Sequence, residues 1–423
     1  MKFAVVGSGI SGLSIAAILS QEHEVVLYEK ENRFGGHSNT VEINYNNEII
    51  NVDTGFIVFN KLNYPNLLKF FKYFSVKYEN SDMSLSIKHQ AMDLEWSGQN
   101  VKTIFSKKKL LKNLSFLFSV LQIPVFNFHV KYLINYKSLN EVTLKDWLKN
   151  KPYSQGFLDL YLLPMAGAIW SMPPEDVMKY PITSLFNFFN NHRLLHNKND
   201  RPQWLTVTDG SIKYVNKIIK FLDANPRVEI FKNTEILKIE RYNNSIKIND
   251  SNEGQNKVDH IIFAINPSKT LKVIRDIEDK EKNILNKFSI NKNLAYLHND
   301  KSLMPKLRKV WSSWNVFVPK EKLKNISVTY WMNKLQNIKN SKPLFLSLNP
   351  VKIPKETTIF KVIEYEHPIF DLKSINSKKL LENIQGYKNT WYCGAWQGNG
   401  FHEDGIESSV KLAKEFGIKV LWD

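Results

Sequence analysis

Cysteine is nearly absent from this sequence, since Cys393 is the only one in 423 residues. A disulfide framework and a thiolate metal cluster are therefore excluded. The histidines and carboxylates also lack the paired spacing of metal ligands, so we predict no metal site. A low cysteine content agrees with a reducing compartment, and we expect a cytoplasmic protein that can lie at the inner face of a membrane.

Long apolar runs are scarce as well. The longest, "LSFLFSVLQIPVF" from Leu114 to Phe126, is shorter than the about 18 residues of a membrane span and contains Pro124. The first residues, "MKFAVVGSG", are typical of a strand rather than of a signal peptide. We therefore expect a soluble protein that is at most peripheral to a membrane.

Acidic residues are outnumbered: 58 lysines and arginines accompany 41 aspartates and glutamates, which gives a net charge of +17. A basic surface can attract nucleic acid or an anionic membrane. Nearly all of these cations are lysine, and asparagine and isoleucine are abundant, as in the product of an AT-rich coding sequence. We predict no nucleic-acid partner, and two explanations of the charge stay open: coding bias and contact with an anionic membrane.

A glycine-rich turn opens the chain. The strand-like residues Phe3 to Val6 lead into Gly7-x-Gly9-x-x-Gly12, a helical pattern follows, and "EVVLYE" predicts a second strand that ends at Glu29. This order of strand, glycine turn, helix, strand and acid is typical of a dinucleotide-binding unit.

Each residue type in this unit has a physical role. Gly7 permits the tight turn, Gly9 lets the backbone approach a pyrophosphate, and Gly12 lets the helix pack closely on the strand. The helix N-terminus offers free N–H groups and a partial positive charge to the phosphates. Glu29 can accept hydrogen bonds from ribose hydroxyls and would repel a 2′-phosphate.

A second pair of glycines bears on which dinucleotide is bound. Gly35 and Gly36 follow the acid, with Arg33 just before them, where a nicotinamide-binding domain would normally have a helix. A glycine turn beside a planar guanidinium suits a loop that lies along a longer, more extended pyrophosphate ligand. We therefore predict FAD as the cofactor.

The middle of the chain alternates helical and strand-like segments. Residues 64–77 predict an amphipathic helix, and residues 105–136 combine lysines with large apolar side chains, as in a helical cap over a core or a basic lid that touches lipid. "RVEIFKNTEILKIERYNNSIKI", residues 227–248, predicts a hairpin. "KVWSSWNVFV", "NISVTYWM" and "TTIFKVIEY" predict an antiparallel sheet with aromatic residues on one face.

A second glycine-rich loop, "CGAWQGNGFHEDGIESS" from Cys393 to Ser409, also joins a strand to a helix. We expect that helix to begin near Gly405 and to direct N–H groups at the pyrimidine end of a flavin. Two roles are open for His402. It could transfer a proton beside the flavin, oriented by Glu403 or Asp404, or it bonds to backbone while Asp404 caps the helix.

Together these motifs resemble the FAD-dependent amine oxidase superfamily, which includes amine oxidases, protoporphyrinogen oxidase and phytoene desaturases. The resemblance is carried by "VVGSGISGLS", "YEKENRFGGHS", "VDTG", "IIFAINP" and the terminal glycine loop. Within it, "GGHSNTV", "DTGFIVFN", "AIWSMP" and "GAWQGNGFHEDG" are most similar to a bacterial branch of predicted NAD/FAD-binding proteins that is linked to the modification of fatty-acyl chains.

The resemblance implies an α/β fold with two domains. A discontinuous Rossmann-like FAD-binding domain would comprise residues 1–60, 205–270 and 386–423. An inserted α+β substrate domain, residues 61–204 and 271–385, would contain a mixed or antiparallel sheet and a helical cap.

The resemblance also implies contacts with each part of FAD. Glu29 would hold the adenosine ribose, Ile236 would meet the adenine through its backbone, and the residues after the last strand would reach the flavin. The implied contacts, in chain order, are Gly7, Ser8, Gly9, Ser11, Gly12, Glu29, Arg33, Gly35, Gly36, His37, Ile236, Gly394, Gly405 and Ile406.

The implied activity is hydride transfer from a fatty-acyl or phospholipid acyl chain to flavin N5, in a desaturation or an isomerisation, with His402 as the candidate catalytic residue. Two alternatives stay open. An amine oxidase would need an aromatic cage and carboxylates for its cationic substrate. A non-catalytic, flavin-bound protein would only deliver or sense lipid. We also expect salt-sensitive binding to anionic vesicles through residues 105–136.

Overall fold

The computed structural model describes residues 1–45, 47–107, 110–111, 113–134, 142–170, 172–196, 200–243, 245–320, 326–339 and 342–423. The strands in these ranges are β1 Lys2–Val6, β2 Glu24–Glu29, β3 Thr40–Tyr45, β4 Glu48–Asp53, β5 Phe59–Asn60, β6 Tyr78–Ser81, β7 Leu85–His89, β8 Leu94–Ser97, β9 Trp204–Val207, β10 Val228–Lys232, β11 Ile236–Tyr242, β12 Ser245–Asp250, β13 Gln255–Val258, β14 His260–Phe263, β15 Ile290–His298, β16 Trp314–Val318, β17 Ser327–Trp331, β18 Phe345–Leu348, β19 Ile359–Pro368 and β20 Thr390–Tyr392. The α-helices are α1 Ile10–Leu19, α2 Pro65–Tyr73, α3 Val101–Ile104, α4 Leu114–Leu133, α5 Leu144–Leu148, α6 Gln155–Phe157, α7 Leu163–Trp170, α8 Pro174–Met178, α9 Ile182–Asn191, α10 Ile212–Asp223, α11 Pro267–Val273, α12 Asp279–Leu285, α13 Met332–Leu335, α14 Leu372–Leu380 and α15 His402–Glu415.

A five-stranded parallel sheet forms the framework of the predicted dinucleotide-binding unit. Its strand order is β10-β2-β1-β14-β20, and all neighbouring strands are parallel. The inner strands are covered on both faces, so they consist of nearly continuous apolar residues, such as Phe3 to Val6 in β1. The sheet takes strands from three distant parts of the chain, and the predicted discontinuous α/β fold is confirmed.

Helix α1 begins after the first glycine turn and is buried along its whole length. Its sequence, ISGLSIAAIL, contains only apolar and small residues, so every face of the helix can pack. Helices α10 and α15 contact it. This packing fixes the N-terminus of α1 at the carboxyl end of β1, where an open α/β sheet binds its ligands.

A seven-stranded sheet forms the second layer, in the order β19-β15-β18-β17-β16-β7-β8. It is mixed, because β16 and β7 are parallel while the other neighbours are antiparallel. Val316, Val328 and Leu346 lie on the face that shares an apolar core with residues 157–189 of the helical region. The predicted sheet of aromatic and alternating segments is therefore present, with one parallel pair.

The predicted hairpin over residues 227–248 is wrong in its first half. β10 pairs with β2 in the parallel sheet, whereas β11 pairs with β12 in a separate antiparallel sheet. Asn233, between them, has a φ of 55°, and the Thr234 N–H donates to the carbonyl oxygen of Glu29 at 2.8 Å. The turn crosses between two sheets because it stays bonded to the end of β2.

Helix α2 packs with the parallel sheet. Its residues Leu67, Phe70 and Phe71 lie in the same apolar core as Phe3 and α1. The prediction assigned residues 61–204 to the substrate domain. Helix α2, Pro65–Tyr73, instead contributes to the apolar core of the dinucleotide-binding unit.

Helix α4 lies within the predicted cap segment. It continues through Pro124 to Leu133, so the helix is longer than the apolar run from Leu114 to Phe126. Among the described helices, it is the one whose length and composition are sufficient to cross a membrane. Phe116, Phe126 and Val130 on one face of it are nevertheless buried against the protein. Tyr136, at the end of the predicted cap segment, lies outside the described residues.

Candidate functional site

The two N-terminal glycine loops lie against each other. A Cβ atom on Gly36 would come within 3.1 Å of the Gly9 Cα, and the Gly35 N–H donates to the Ser8 carbonyl oxygen at 3.0 Å. Arg33 closes the second loop, because its Nη1 donates to the Gly36 carbonyl oxygen at 2.8 Å. The structure therefore brings the predicted diphosphate residues together with those predicted for the middle of the cofactor.

The glycines of the first loop meet two different requirements. A Cβ on Gly12 would lie 1.8 Å from the Gly7 carbonyl oxygen, so close packing of α1 on β1 excludes any side chain there. A Cβ on Gly9 would meet no atom within 4 Å. Gly9 therefore faces open space in front of the α1 N-terminus, and the residues present fit a dinucleotide whose pyrophosphate approaches that backbone.

Glu29 links the loop to the end of β2. Its Oε2 accepts hydrogen bonds from the Ser8 N–H at 2.9 Å and from the Ser8 hydroxyl at 2.5 Å, and its Oε1 accepts from the Glu31 N–H at 2.9 Å. Ile236 begins β11 just after the turn that bonds to Glu29, so the structure places the two predicted adenosine contacts on neighbouring segments.

The C-terminal loop also reaches this region, but its helix begins earlier than predicted. α15 begins at His402, three residues before Gly405, and Asp404 Oδ2 accepts the Phe401 N–H at 2.8 Å as a cap. A Cβ on Gly405 would lie 2.9 Å from Ser11 Oγ, so the first turn of α15 packs on the first turn of α1. Ile406 is fully buried in the same core.

Gly394 lies at the other end of the C-terminal loop. Its φ is 152°, and a Cβ there would lie 2.4 Å from the Trp396 Nε1. Its N–H donates to Ser408 Oγ at 2.9 Å, which fastens the end of β20 to α15. The loop between β20 and α15 is thereby tied to the helix that follows it.

His402 is held by hydroxyl groups and an aromatic ring. Its Nε2 lies 2.8 Å from Ser38 Oγ and 3.1 Å from the Tyr214 hydroxyl oxygen, and these two hydroxyls are hydrogen-bonded to each other. The Phe56 ring stacks on the imidazole with centroids 3.6 Å apart. Burial lowers the pKa of His402 to about 3, so the ring is neutral at physiological pH.

The two acids beside His402 serve other partners. Glu403 accepts hydrogen bonds from the N–H groups of Asn66 and Leu67, at the start of α2, and Asp404 caps α15. The expected orientation of His402 by a carboxylate is therefore wrong, because Ser38 and Tyr214 contact the ring instead. The alternative capping role of Asp404 is present.

His37 lies in a cluster of rings next to the second glycine loop. Its ring is 5.4 Å from those of Tyr365 and His367. Its side chain nevertheless retains exposed surface. Burial and the nearby Arg33 lower the pKa of His37, and burial lowers the pKa of His367 to about 3.

Several side chains at this site are not predicted by the sequence motifs. Ser38 and Tyr214 hold His402, while Tyr365 and His367 lie beside His37. The alternation of Tyr365 and His367 along β19, which puts both on one face of the sheet, is a signal that could have found them. Lys378 donates a hydrogen bond to the Gly398 carbonyl oxygen, and burial lowers its pKa to about 8.

Comparisons with known proteins agree with this geometry. Residues 5–74 match the model of the NAD(P)-binding Rossmann-like domain. The chain shares its fold with amine oxidases of known structure. It superposes over 98% of its length on cyclohexylamine oxidase from Brevibacterium oxydans IH-35A, covering 99% of that chain with a TM-score of 0.69 and 12% identity. It superposes equally widely on the CLA-producing fatty acid isomerase from P. acnes, covering 98% of that chain with a TM-score of 0.64 and 15% identity.

A short stretch of the chain also matches a curated desaturase in sequence. Over 43 residues, or 10% of this chain, the sequence is 51% identical to 4,4′-diapophytoene desaturase of Staphylococcus aureus (strain Newman). The match spans 9% of the length of the desaturase. These comparisons confirm the predicted resemblance at the level of the fold and of the N-terminal Rossmann-like domain.

Proposed function

We propose that this chain is an FAD-dependent oxidoreductase that acts on the acyl chain of a fatty acid or phospholipid, by desaturation or by redox-neutral isomerisation. The observation that carries the proposal is the cradle of two glycine loops in contact, with open space in front of Gly9. When bound, FAD would supply a hydride acceptor: a desaturation would transfer a hydride from one acyl carbon to the flavin and release a proton from the neighbouring carbon, and an isomerisation would return the hydride to another carbon.

The residues that would hold FAD follow from the cradle. The α1 N-terminus, with Gly9 and Ser11, would offer N–H groups to the diphosphate, and Ser8, whose N–H is bonded to Glu29, would line the same space. Glu29 would hold the adenosine ribose, and the loop closed by Arg33 would lie along the middle of the cofactor. The first turn of α15, already packed on α1, would face the flavin end.

Aromatic side chains continue from this end of the site into the helical region. Phe401, the residue before α15, stacks on Phe188 at 5.1 Å, Phe188 lies 4.6 Å from Trp170, and Trp170 lies 4.9 Å from Tyr180. The Trp170 Nε1 and the Tyr180 hydroxyl are buried without a hydrogen-bond partner among the described residues. The ring faces are apolar and favour an acyl chain at the partly buried Phe401 end, whereas the two unpartnered polar groups would bond to a polar atom and not to a hydrocarbon.

The acids of the C-terminal loop favour a neutral substrate over an amine. Glu403 accepts three hydrogen bonds at the start of α2, and Asp404 caps α15. A cationic amine needs a carboxylate that is free to pair with it, because burying an unpaired charge is costly. Amine oxidases and a fatty acid isomerase share this fold, so the fold does not distinguish their substrates. The hydrogen bonds that already occupy Glu403 and Asp404 are therefore the observation that favours the acyl substrate.

His402 fits a positioning role. Its Nε2 is occupied by two hydroxyls and its ring is stacked on Phe56, so it joins the second glycine loop, α10 and α15. We propose that it fixes the loop containing His37 against the flavin end of the site. A direct catalytic role would require one of these contacts to break during the reaction.

The test uses the purified protein reconstituted with FAD. It is mixed anaerobically with phospholipid or free fatty acid, the visible flavin spectrum is recorded, and the acyl products are analysed by mass spectrometry. We expect either flavin reduction with a product two hydrogens lighter, or an isomer of unchanged mass. Failure to bind flavin would overturn the proposal. Turnover of primary amines without lipid turnover would indicate an amine oxidase, and lipid binding without any product would indicate a non-catalytic protein.

A further inference from the structure

Helix α4 carries an apolar stripe on its solvent side. The stripe residues are 56–80% exposed and recur at alternating spacings of four and three, which puts them on one helix face. They are Leu114, Phe118, Leu121, Val125, Phe128 and Tyr132. The helix has no charged residue before Lys131. An apolar face of this length is unusual on the surface of a soluble protein.

The opposite face of α4 is fixed to the protein. Gln122 donates through Nε2 to the Pro152 carbonyl oxygen at 2.8 Å and accepts the Ser154 N–H at 3.0 Å. Phe126 packs between the rings of Trp147 and Phe157. A helix that crossed a bilayer would lose these contacts, so α4 is suited to lie along a surface with only its stripe inserted.

The sequence that flanks α4 is basic. Residues 96–140 contain seven lysines and no aspartate or glutamate, and one of the seven, Lys107, pairs with Asp93 Oδ2 at 3.2 Å. Five of the lysines precede the helix in the sequence, and the other two, Lys131 and Lys137, are at or beyond its last turn. An uncharged apolar stripe between basic ends is the pattern of a helix that lies in the plane of an anionic membrane.

The spacing of the stripe also suits pairing with α4 of a second copy. Charge argues against that occupant. Both ends of α4 are basic, so parallel and antiparallel pairing would each bring lysines of the two copies together without an acid in this segment to compensate them. An anionic lipid surface, in contrast, complements the stripe and the lysines at once.

We propose that α4 is an in-plane docking helix whose stripe enters the boundary between head groups and acyl chains of an anionic bilayer. Helices α6 and α7, with the helical residues between them, run from the buried face of α4 to Trp170. The docked protein would therefore place its aromatic lining near the membrane. The docking itself does not depend on the proposed flavin chemistry.

The test compares binding to sedimented vesicles of phosphatidylglycerol and phosphatidylcholine with binding to vesicles of phosphatidylcholine alone. The variant is Phe118→Ser with Phe128→Ser, two exposed stripe residues. The control is Ile49→Ser with Leu237→Ser, two exposed apolar residues on other elements. We expect the wild type and the control to bind anionic vesicles equally and more weakly at high salt. The stripe variant should bind at least about tenfold more weakly, because inserted apolar surface is lost.

Circular dichroism and thermal unfolding of both variants check that they remain folded, and light scattering gives the oligomeric state. Equal binding of the wild type to both vesicle types, or undiminished binding of the stripe variant, would overturn the proposal. A wild-type dimer that the stripe variant converts to a monomer would show that a second copy covers α4. Flavin content and turnover of detergent-dispersed acyl substrate, measured on the same variants, report on the proposed function separately.

Discussion

Valine at position 9 is expected to separate cofactor binding from folding. Gly9 has a φ of −66° and a ψ of 178°, a conformation that valine adopts without strain, and its Cβ would meet no atom within 4 Å. Gly9→Val therefore creates no clash at Cβ in the apo protein. Valine is a poorer N-cap for α1 than glycine, and this cost is offset by the lower entropy of the unfolded chain, which favours folding by about 0.5–1 kcal/mol. In the holoprotein the same side chain would occupy the space proposed for the pyrophosphate.

Substitutions at two other glycines serve as controls for Gly9→Val. Gly98, after β8 in the seven-stranded sheet, also has open space in front of its Cβ, so Gly98→Val should leave flavin binding unchanged. Gly12→Ala would put a methyl group 1.8 Å from the Gly7 carbonyl oxygen and force α1 away from β1. Overpacking of this kind costs about 1–3 kcal/mol or more in stability, so Gly12→Ala should lose both flavin and thermal stability.

The assay is titration of each apoprotein with FAD, followed by quenching of flavin fluorescence, together with thermal unfolding of the apoproteins. For Gly9→Val we expect the Kd to rise by at least about 100-fold, which corresponds to about 2.7 kcal/mol, with an unfolding temperature no lower than that of the wild type. An unchanged Kd would refute the placement of the diphosphate in front of α1. A lowered unfolding temperature would show that the space before Gly9 is not open.

Three further predictions concern buried polar side chains. Asp53 is buried, and its two carboxylate oxygens share the hydrogen bond from the Ser211 N–H. Asp53→Asn turns an amide donor toward this N–H and should therefore lower the free energy of unfolding by about 2–3 kcal/mol. A urea titration that shows a change below about 0.5 kcal/mol would contradict this. Burial lowers the pKa of His298 to about 4, so below pH 6.5 the unfolded chain takes up a proton that the folded state excludes, and stability should fall by about 1.4 kcal/mol per pH unit for this group between pH 6.5 and pH 4. The same titration at several pH values should give a shallower slope for His298→Asn, and identical slopes would refute the assignment. Tyr214→Phe removes a hydroxyl that contacts His402 Nε2 and should cost about 1 kcal/mol in thermal unfolding, and an unchanged unfolding temperature would show that this contact is unimportant.

The first glycine loop could be predicted from the sequence because its chemistry is local. Gly7, Gly9 and Gly12 lie within six residues of one βαβ unit. Gly7 is required by the turn, Gly9 by the approach of a pyrophosphate to the backbone, and Gly12 by the packing of α1 on β1. The apolar run of β1 predicted a strand for a similar reason, since burial on both faces leaves no polar alternation.

The partners of His402 could not be predicted in this way. Ser38 is 364 positions and Tyr214 is 188 positions from His402, so no sequence spacing identifies them as its partners. Glu403 and Asp404 directly follow His402 in the sequence, and for that reason they were the predicted partners. The division of β10 and β11 between two sheets has the same cause. Their alternation suits either pairing, and the choice is made by the bond from Thr234 to Glu29.

The contacts that hold the cradle are made between protein groups. Asp53 accepts hydrogen bonds from the Thr40 hydroxyl and from the start of α10, and His402 joins the second glycine loop to α10 and α15 through Ser38 and Tyr214. These contacts link three segments that are distant in the chain. Since none of them needs a ligand, the entropy of ordering the loops is lost on folding and not on binding. A preorganised cradle of this kind is expected to take up FAD after folding, which is why reconstitution of the apoprotein is the appropriate form of each binding experiment.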